Sequence, residues 1–469
     1  MDFSDLLSSL FHPATVKKAT LSKDEVASLL KTNPDILKEF EEAYARIPDG
    51  DIEPNAKDMA GNGEREGKGI DYNMVERVVK ELLAKTQVYT YTRENDKAGV
   101  ETLLPGYDEP PVTVEEINNL PTVMRPQLTG NLMSVHMNGP SYPLVLWYYK
   151  KYQESHGHDR SMYYHFRQGL DILDLDEVIY RIIDTNRTSM GHWLPQLVEA
   201  NRRSNFFKIP STTIARVPLT LLQLTRQEYA MLTPATMKIV DQWAMEAFHL
   251  EPSKEYFVKT GTYSSKFDFR NCHVAGENEV KELGEYLLYI HFAALQKAGP
   301  LYTPIIFGMS TTTEWVVREF IPDKEHNPCI YHGMPLHTEY RVFVDCDENV
   351  VIGCAPYWEP ETMTTRFSTG TDANSPHQMH DYVIYKSHED TLMERFFQNR
   401  DKVVEEIEKI LPNLDLEGQW SIDVMQNGKD FWLIDMALAE NSAFYREYVP
   451  RKWQKHIEED WMPKIGKGD

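Results

Sequence analysis

Residues 419–441, QWSIDVMQNGKDFWLIDMALAEN, constrain the fold of this 469-residue chain more than any other stretch. Two apolar runs, 420–425 and 431–435, flank Asn427-Gly428, a dipeptide that strongly favours a tight hairpin. Each run carries an aspartate among Trp, Ile, Val and Leu: Asp423 lies inside the first and Asp435 ends the second. A carboxylate in such surroundings is costly to desolvate unless a cation compensates it, and Mg²⁺ bridging to phosphates is the natural partner. Register decides whether both can serve. A two-residue Asn427-Gly428 loop places the two aspartates on opposite faces, whereas a three-residue loop ending at Lys429 pairs Asp423 with Leu433 and puts both on one face. Metal binding therefore requires an odd-length loop or a compensating bulge.

Three earlier segments carry groups that suit a nucleoside triphosphate. In YFVKTGTYSSKFDFR, Lys259 closes an apolar strand and a small-residue loop runs to Lys266. Gly261, Thr262, Ser264 and Ser265 can offer amides and hydroxyls to phosphate oxygens, and the lysines supply charge. A lysine at a strand end before a polar turn is also commonplace, and no Walker loop is present. In EWVVREFIPD a strand runs out into Ile321-Pro322, where the backbone of Glu319, Phe320 and Ile321 can meet an adenine edge; an ordinary core strand ended by proline fits equally. In HTEYRVFVD, alternation sets Glu339, Arg341 and Phe343 on one face and Tyr340, Val342 and Val344 on a core face. Arg341, oriented by Glu339, can reach a terminal phosphate, or it can form a solvent-side ion pair of little energetic value.

The remainder sets the frame. Ser22 and Glu25 form a capping-box pattern, and Asn33-Pro34 opens a second helix, so 1–47 reads as a helical hairpin. Residues 48–72 read as a linker or loop, and 73–204 as a mostly helical region with helices near 74–83 and 173–183. His156 and His158 sit in a charged loop and read as solvated. After about 205, short strands alternate with helices: 214–219, 256–259, 315–320, 339–345 and 350–356 read as strands and 400–411 as a helix, an α+β pattern with antiparallel pairing. Lys and Arg number 49 against 72 Asp and Glu, a net charge of −23 that argues against general nucleic-acid binding while leaving room for a small basic pocket. The four scattered cysteines form no disulfide or zinc pattern and fit a reducing compartment. Without a signal-like start or a membrane-length apolar run, the expected location is cytoplasmic, with no membrane contact.

Taken in order, these segments resemble the ATP-grasp superfamily, and most closely its divergent branch that includes assembly chaperones for a translation initiation factor. The resemblance is carried by Lys259 with Tyr263-Ser264-Ser265-Lys266, by Arg318-Glu319-Phe320, by Glu339-Tyr340-Arg341, and by Ser421-Ile422-Asp423-Val424 with Leu433-Ile434-Asp435. It implies an ATP-grasp fold of two α+β lobes with antiparallel sheets, here 205–325 and 326–469, behind the helical N-terminal region. It also implies ATP and Mg²⁺ as ligands. Lys259 would bind the α- and β-phosphates, Ser264, Ser265 and Lys266 would form a lid, and the backbone around Glu319–Ile321 would hold adenine. Arg341 would face the γ-phosphate, with Asp423 and Asp435 on magnesium. The family usually has an asparagine two residues after the second aspartate, where this chain has Ala437, so Asn441 or Glu440 is expected to supply the third ligand. Lys208 and Lys238 are candidates for a further phosphate lysine.

The activity the resemblance implies is that of a ligase, coupling a small-molecule or peptide carboxylate to an amine through an acyl phosphate. Lys266 and Arg341 would neutralise the transferred phosphoryl group. The alternative is an ATP-binding assembly factor with little turnover, its protein partner held through the N-terminal helical region. A lysine nucleotidyltransferase is disfavoured, because KTGT lacks the acidic or amide residue usual before the glycine.

Overall fold

The structure is a computed structural model that describes residues 22–45, 70–106, 184, 186–224, 234–301, 312–368 and 376–455. The expected helix at 173–183 and the two histidines at 156 and 158 lie outside these residues. The architecture is mixed α+β, with two main sheets and an N-terminal helical region.

Thirteen strands are described: β1 (Gln87–Thr92), β2 (Lys97–Thr102), β3 (Phe207–Lys208), β4 (Thr212–Arg216), β5 (Tyr256–Thr260), β6 (His273–Val274), β7 (Glu314–Glu319), β8 (Cys329–Ile330), β9 (Met334–Pro335), β10 (Thr338–Asp345), β11 (Val350–Pro356), β12 (Gln419–Asn427) and β13 (Asp430–Leu438). One sheet has the order β2-β1-β4-β7-β5-β6, the other β11-β10-β12-β13-β3, and β8 pairs with β9. The β3 pairing with β13 is parallel; the others are antiparallel.

At the N-terminus the capping box forms as expected. The Ser22 amide donates to the Glu25 carboxylate at 2.7 Å and the Glu25 amide to Ser22 Oγ at 3.3 Å, starting the helix Lys23–Thr32. Pro34 opens the next helix, Pro34–Tyr44. Their apolar faces, with Val26, Leu30 and Phe40 fully buried, pack against the long helix Pro376–Ile410. The helix expected at 400–411 is thus the end of a much longer one.

One expectation needs correcting. Within the region read as mostly helical, residues 87–102 form the hairpin β1–β2, and β1 pairs with β4 to extend the six-stranded sheet. The helix expected near 74–83 does form, as Tyr72–Ala84.

Alternation assigns the faces. Trp315 and Val317 of β7 and Val258 of β5 enter a core with helices Pro234–Ala247 and Leu283–Leu301. Lys259 and Arg318 are therefore turned to the opposite face. In the second sheet Tyr340, Val342, Val344, Ile422 and Val424 share another core with helix Met190–Asn201 and the end of the long helix, as the alternation of β10 required. Glu339, Arg341, Asp423 and Met425 consequently face the other way, toward Lys259 and Arg318.

Candidate functional site

The hairpin condition is met by a bulge. Asn427 pairs with Asp430, so the loop is the two residues Gly428-Lys429, and pairing runs down to Val424 opposite Leu433. The register then shifts by one: Ile434 is extra, and Asp423 stands opposite Asp435. Because Arg341 pairs with Asp423 on the other side, Arg341, Asp423 and Asp435 form one row across β10, β12 and β13, all on the same face.

Charges in this row are mutually compensated. Arg341 holds Asp423 with a bidentate fork at 2.9 and 2.7 Å, and Lys259 Nζ reaches Asp435 Oδ1 at 3.0 Å from the other sheet. Burial draws the Lys259 pKa down, with Asp435 opposing. Burial acts to raise that of Asp435, but Lys259, then Lys266 and Arg318, hold it below the ordinary carboxylate range. Arg318 is buried, donating to Thr212 Oγ1 at 3.0 Å and to the carbonyl of Ile434; desolvation brings its pKa down to about 10. Among the described residues no partner takes its Nη2, nor Oε2 of the buried Glu339. The Glu339 carboxyl is pushed up to about 7 by burial, with Lys266 opposing and Asp423 reinforcing the shift.

Lys259, Lys266, Arg318, Glu339 and Asp435 line one cleft between the sheets that opens to solvent, with Arg341 and Asp423 in the row behind it. Its polar lining consists mainly of Lys259, Ser264, Lys266, Arg318, Glu339 and Asp435. Its apolar lining comes from Phe257, Phe269, Met334, Met425 and the connector Phe320-Ile321, with Phe257 beside Arg318 and Met425 beside Glu339. Phe320 is backed by His273, their rings stacked with centroids 3.9 Å apart, so the histidine beside buried Cys272 supports the cleft wall. In the connector the amides of Glu319 and Phe320 are already given to the carbonyls of Ser211 and Glu255, at 2.8 and 3.2 Å. The Glu319 carboxylate is held by Arg93, Nε to Oε1 at 2.7 Å. The Ile321 amide and the connector carbonyls are consequently what this stretch leaves for a ligand.

Other expected residues are placed elsewhere. Ser265 is buried and receives a hydrogen bond from Asn271 at 3.1 Å, so Ser264 alone of the two serines lines the cleft. Lys208 pairs with Asp430 at 2.8 Å at the hairpin tip, and Lys238 lies in helix Pro234–Ala247; neither lines the cleft. Asn441 and Glu440 fall in the 3-10 turn Ala439–Asn441, and no hydrogen bond among the described residues joins Asn441 to either aspartate. Ala437 pairs with Ser421, one step beyond the carboxylate row on the same face.

Among the described residues, no group of three or more His, Cys, Asp or Glu side chains is gathered to hold a metal ion. Two carboxylates on one face still suit Mg²⁺, which commonly takes one or two carboxylates together with phosphate oxygens rather than an all-protein cage.

Two supports were hidden in the sequence. The half-buried Glu314 carboxylate accepts from Ser189 Oγ at 2.5 Å and from the Gly191 amide at 2.8 Å, while its backbone carbonyl accepts from the Gly261 amide at 2.9 Å. This fixes the start of the loop after Lys259. The second is Asn427, fully buried, whose carboxamide donates to the Pro322 carbonyl at 2.9 Å and accepts from the Lys324 amide at 3.0 Å. It ties the connector to the hairpin. A cue for Glu314 existed in its charge at the head of an apolar strand; none marked Asn427, which read simply as a turn residue.

No protein-family model and no curated protein matches the chain. Among solved structures, C-terminally truncated Cdc123 and Cdc123, both from Schizosaccharomyces pombe, are similar to it at 13% identity and a TM-score of 0.31, each covering 55% of this chain and 85% of that chain. So distant a likeness has no bearing on the role of any residue in the cleft.

Proposed function

We propose that the chain binds ATP with Mg²⁺ between its two sheets and uses occupancy of that cleft to set how the sheets meet, in the manner of an ATP-dependent assembly factor. The observation that carries this reading is the ion pair between Lys259 and Asp435, which joins the sheets across the cleft. Phosphates would recruit Lys259, Lys266 and Arg318, and the apolar lining would enclose adenine against the connector. Asp423 and Asp435 would hold Mg²⁺, which when bound neutralises phosphate charge. Nucleotide entry thus exchanges one set of compensating charges for another at the junction of the sheets. The helices Lys23–Thr32 and Pro34–Tyr44 are the proposed surface for a protein partner.

The ligase reading keeps one observation in its favour. Lys266 and Arg341 converge from opposite sheets over the Tyr357 ring, and a transferred phosphoryl group needs such cations to neutralise it. The test is calorimetry with ATP and Mg²⁺, followed by assay of ADP and phosphate release in the presence of amino acids and peptides. An assembly factor binds tightly with little release; a ligase releases both products only when its carboxylate and amine are supplied. Failure to bind ATP under any of these conditions overturns both.

A further inference from the structure

Tyr357 follows β11 directly, and its amide donates to the carbonyl of Glu339 at 3.0 Å, which fixes it beside β10. Lys266 Nζ lies 4.4 Å from the centre of its ring and the guanidinium carbon of Arg341 4.7 Å from the same centre. One cation comes from the loop after β5 and the other from β10, so they belong to different sheets. Two like charges brought together repel each other, and a half-buried ring offers both the negative face of its π system. Burial acts to lower the Lys266 pKa, yet Tyr357, in part through its hydroxyl, with Glu339 and Asp423 holds it above the ordinary lysine value, so the amine stays charged where it sits.

We propose that Tyr357 is a positioning residue for the outer phosphates, gathering Lys266, which lines the cleft, and Arg341, from the row behind it, over one ring although they arrive from separate sheets. This rests on the nucleotide reading above. The ring orders the two cations before a ligand enters, and the benefit falls on the outer phosphates of a triphosphate. A nucleoside monophosphate, lying against Lys259 and the connector, gains nothing from it.

The full chain is compared with its Tyr357→Phe and Tyr357→Leu variants by calorimetry in Mg²⁺, using a non-hydrolysable ATP analogue and, separately, AMP. The Leu variant is expected to lose about tenfold in affinity for the triphosphate analogue with AMP unchanged, while Phe keeps the ratio of the two affinities within about twofold. An unchanged ratio in the Leu variant overturns the proposal. So does a Phe variant as weak as Leu, which assigns the effect to the hydroxyl, and so does an equal loss of both ligands, which makes the role a general structural one. If the unmodified protein binds neither ligand, the nucleotide reading fails with it, an outcome distinct from a change in the ratio.

Discussion

The guanidinium of Arg318, on one sheet, donates to the carbonyl of Ile434, the extra residue of the bulge on the other. The bulge is what brings Asp435 opposite Asp423, so the alignment of the two carboxylates is maintained from across the cleft. Arg318→Lys keeps the charge but loses the fork that spans Thr212 and Ile434. Its unfolding free energy should fall by about 2 kcal/mol. The more telling readout is the factor by which Mg²⁺ strengthens ATP binding, which should shrink in the variant; an undiminished Mg²⁺ effect would show that the bulge holds without Arg318.

Lys259 is buried, and its removal leaves Asp435 facing other groups without its main partner. Lys259→Ala is therefore expected to weaken Mg·ATP binding at least about tenfold and to cost stability on the order of 3 kcal/mol. The double variant Lys259→Met with Asp435→Leu should regain much of the stability while ATP binding stays lost. Chemical denaturation and calorimetry on the same samples separate the two effects. Recovery of binding in the double variant would remove both residues from the proposed site.

Glu339 gives a pH prediction with a definite sign. Its folded pKa is about 7 against an ordinary 4.5, chiefly through burial. Between those values the folded protein keeps the proton more readily than the unfolded chain, so this group makes stability fall as pH rises, levelling off above the folded value. Glu339→Gln should remove that slope. Without nucleotide or divalent cation, the variant is expected to be more stable than the unmodified protein by about 2–3 kcal/mol at pH 8, with the gap closing toward pH 4.5. Parallel stability curves for the two proteins across that range would contradict this.

Gly261 has no room for a side chain. A Cβ there would lie 2.1 Å from Ser189 Oγ, 2.6 Å from Thr312 Oγ1 and 2.7 Å from Glu314 Oε2. Those atoms are hydrogen-bonded to one another, with Ser189 Oγ 2.7 Å from Thr312 Oγ1, and cannot part without leaving the half-buried Glu314 carboxylate short of a donor. Gly261→Ala should lower the unfolding free energy by about 2 kcal/mol or more. It should also weaken ATP binding, since the loop it opens carries Ser264 and Lys266. A thermal melt that matches the unmodified protein would mean the cluster gives way easily.

How much of this was legible in the sequence follows from the range of the interactions. Asp423 and Asp435 could be singled out because a carboxylate in an apolar strand is anomalous within its own few residues. The faces of β10 could be read for the same reason, alternation being local. The bulge could be named only as a condition, since what holds it is an arginine 116 residues away. Asn427 looked like a turn residue because its two partners belong to the connector, over 100 positions earlier. The hairpin β1–β2 escaped notice because β2 is almost wholly exposed and has no apolar alternation to betray it. Ser265 went astray over a distance of six residues, where the chain turns back and Asn271 takes its hydroxyl.

The segment from Phe207 to Arg216 belongs to both sheets: β3 is stitched to β13, and after residues 209–211 the chain enters β4 of the other sheet. Ile209 is buried, and Pro210, with its ring-fixed φ, forms part of the cleft lining. A second strap crosses where the connector is clamped by Asn427. The chain itself thus joins the two sheets at two short stretches, 209–211 and the connector after β7, besides the Lys259–Asp435 and Arg318–Ile434 links across the cleft. Both stretches contribute to the lining, Pro210 from one and Phe320 and Ile321 from the other, so whatever fills the cleft rests against the two places where the chain passes between the sheets.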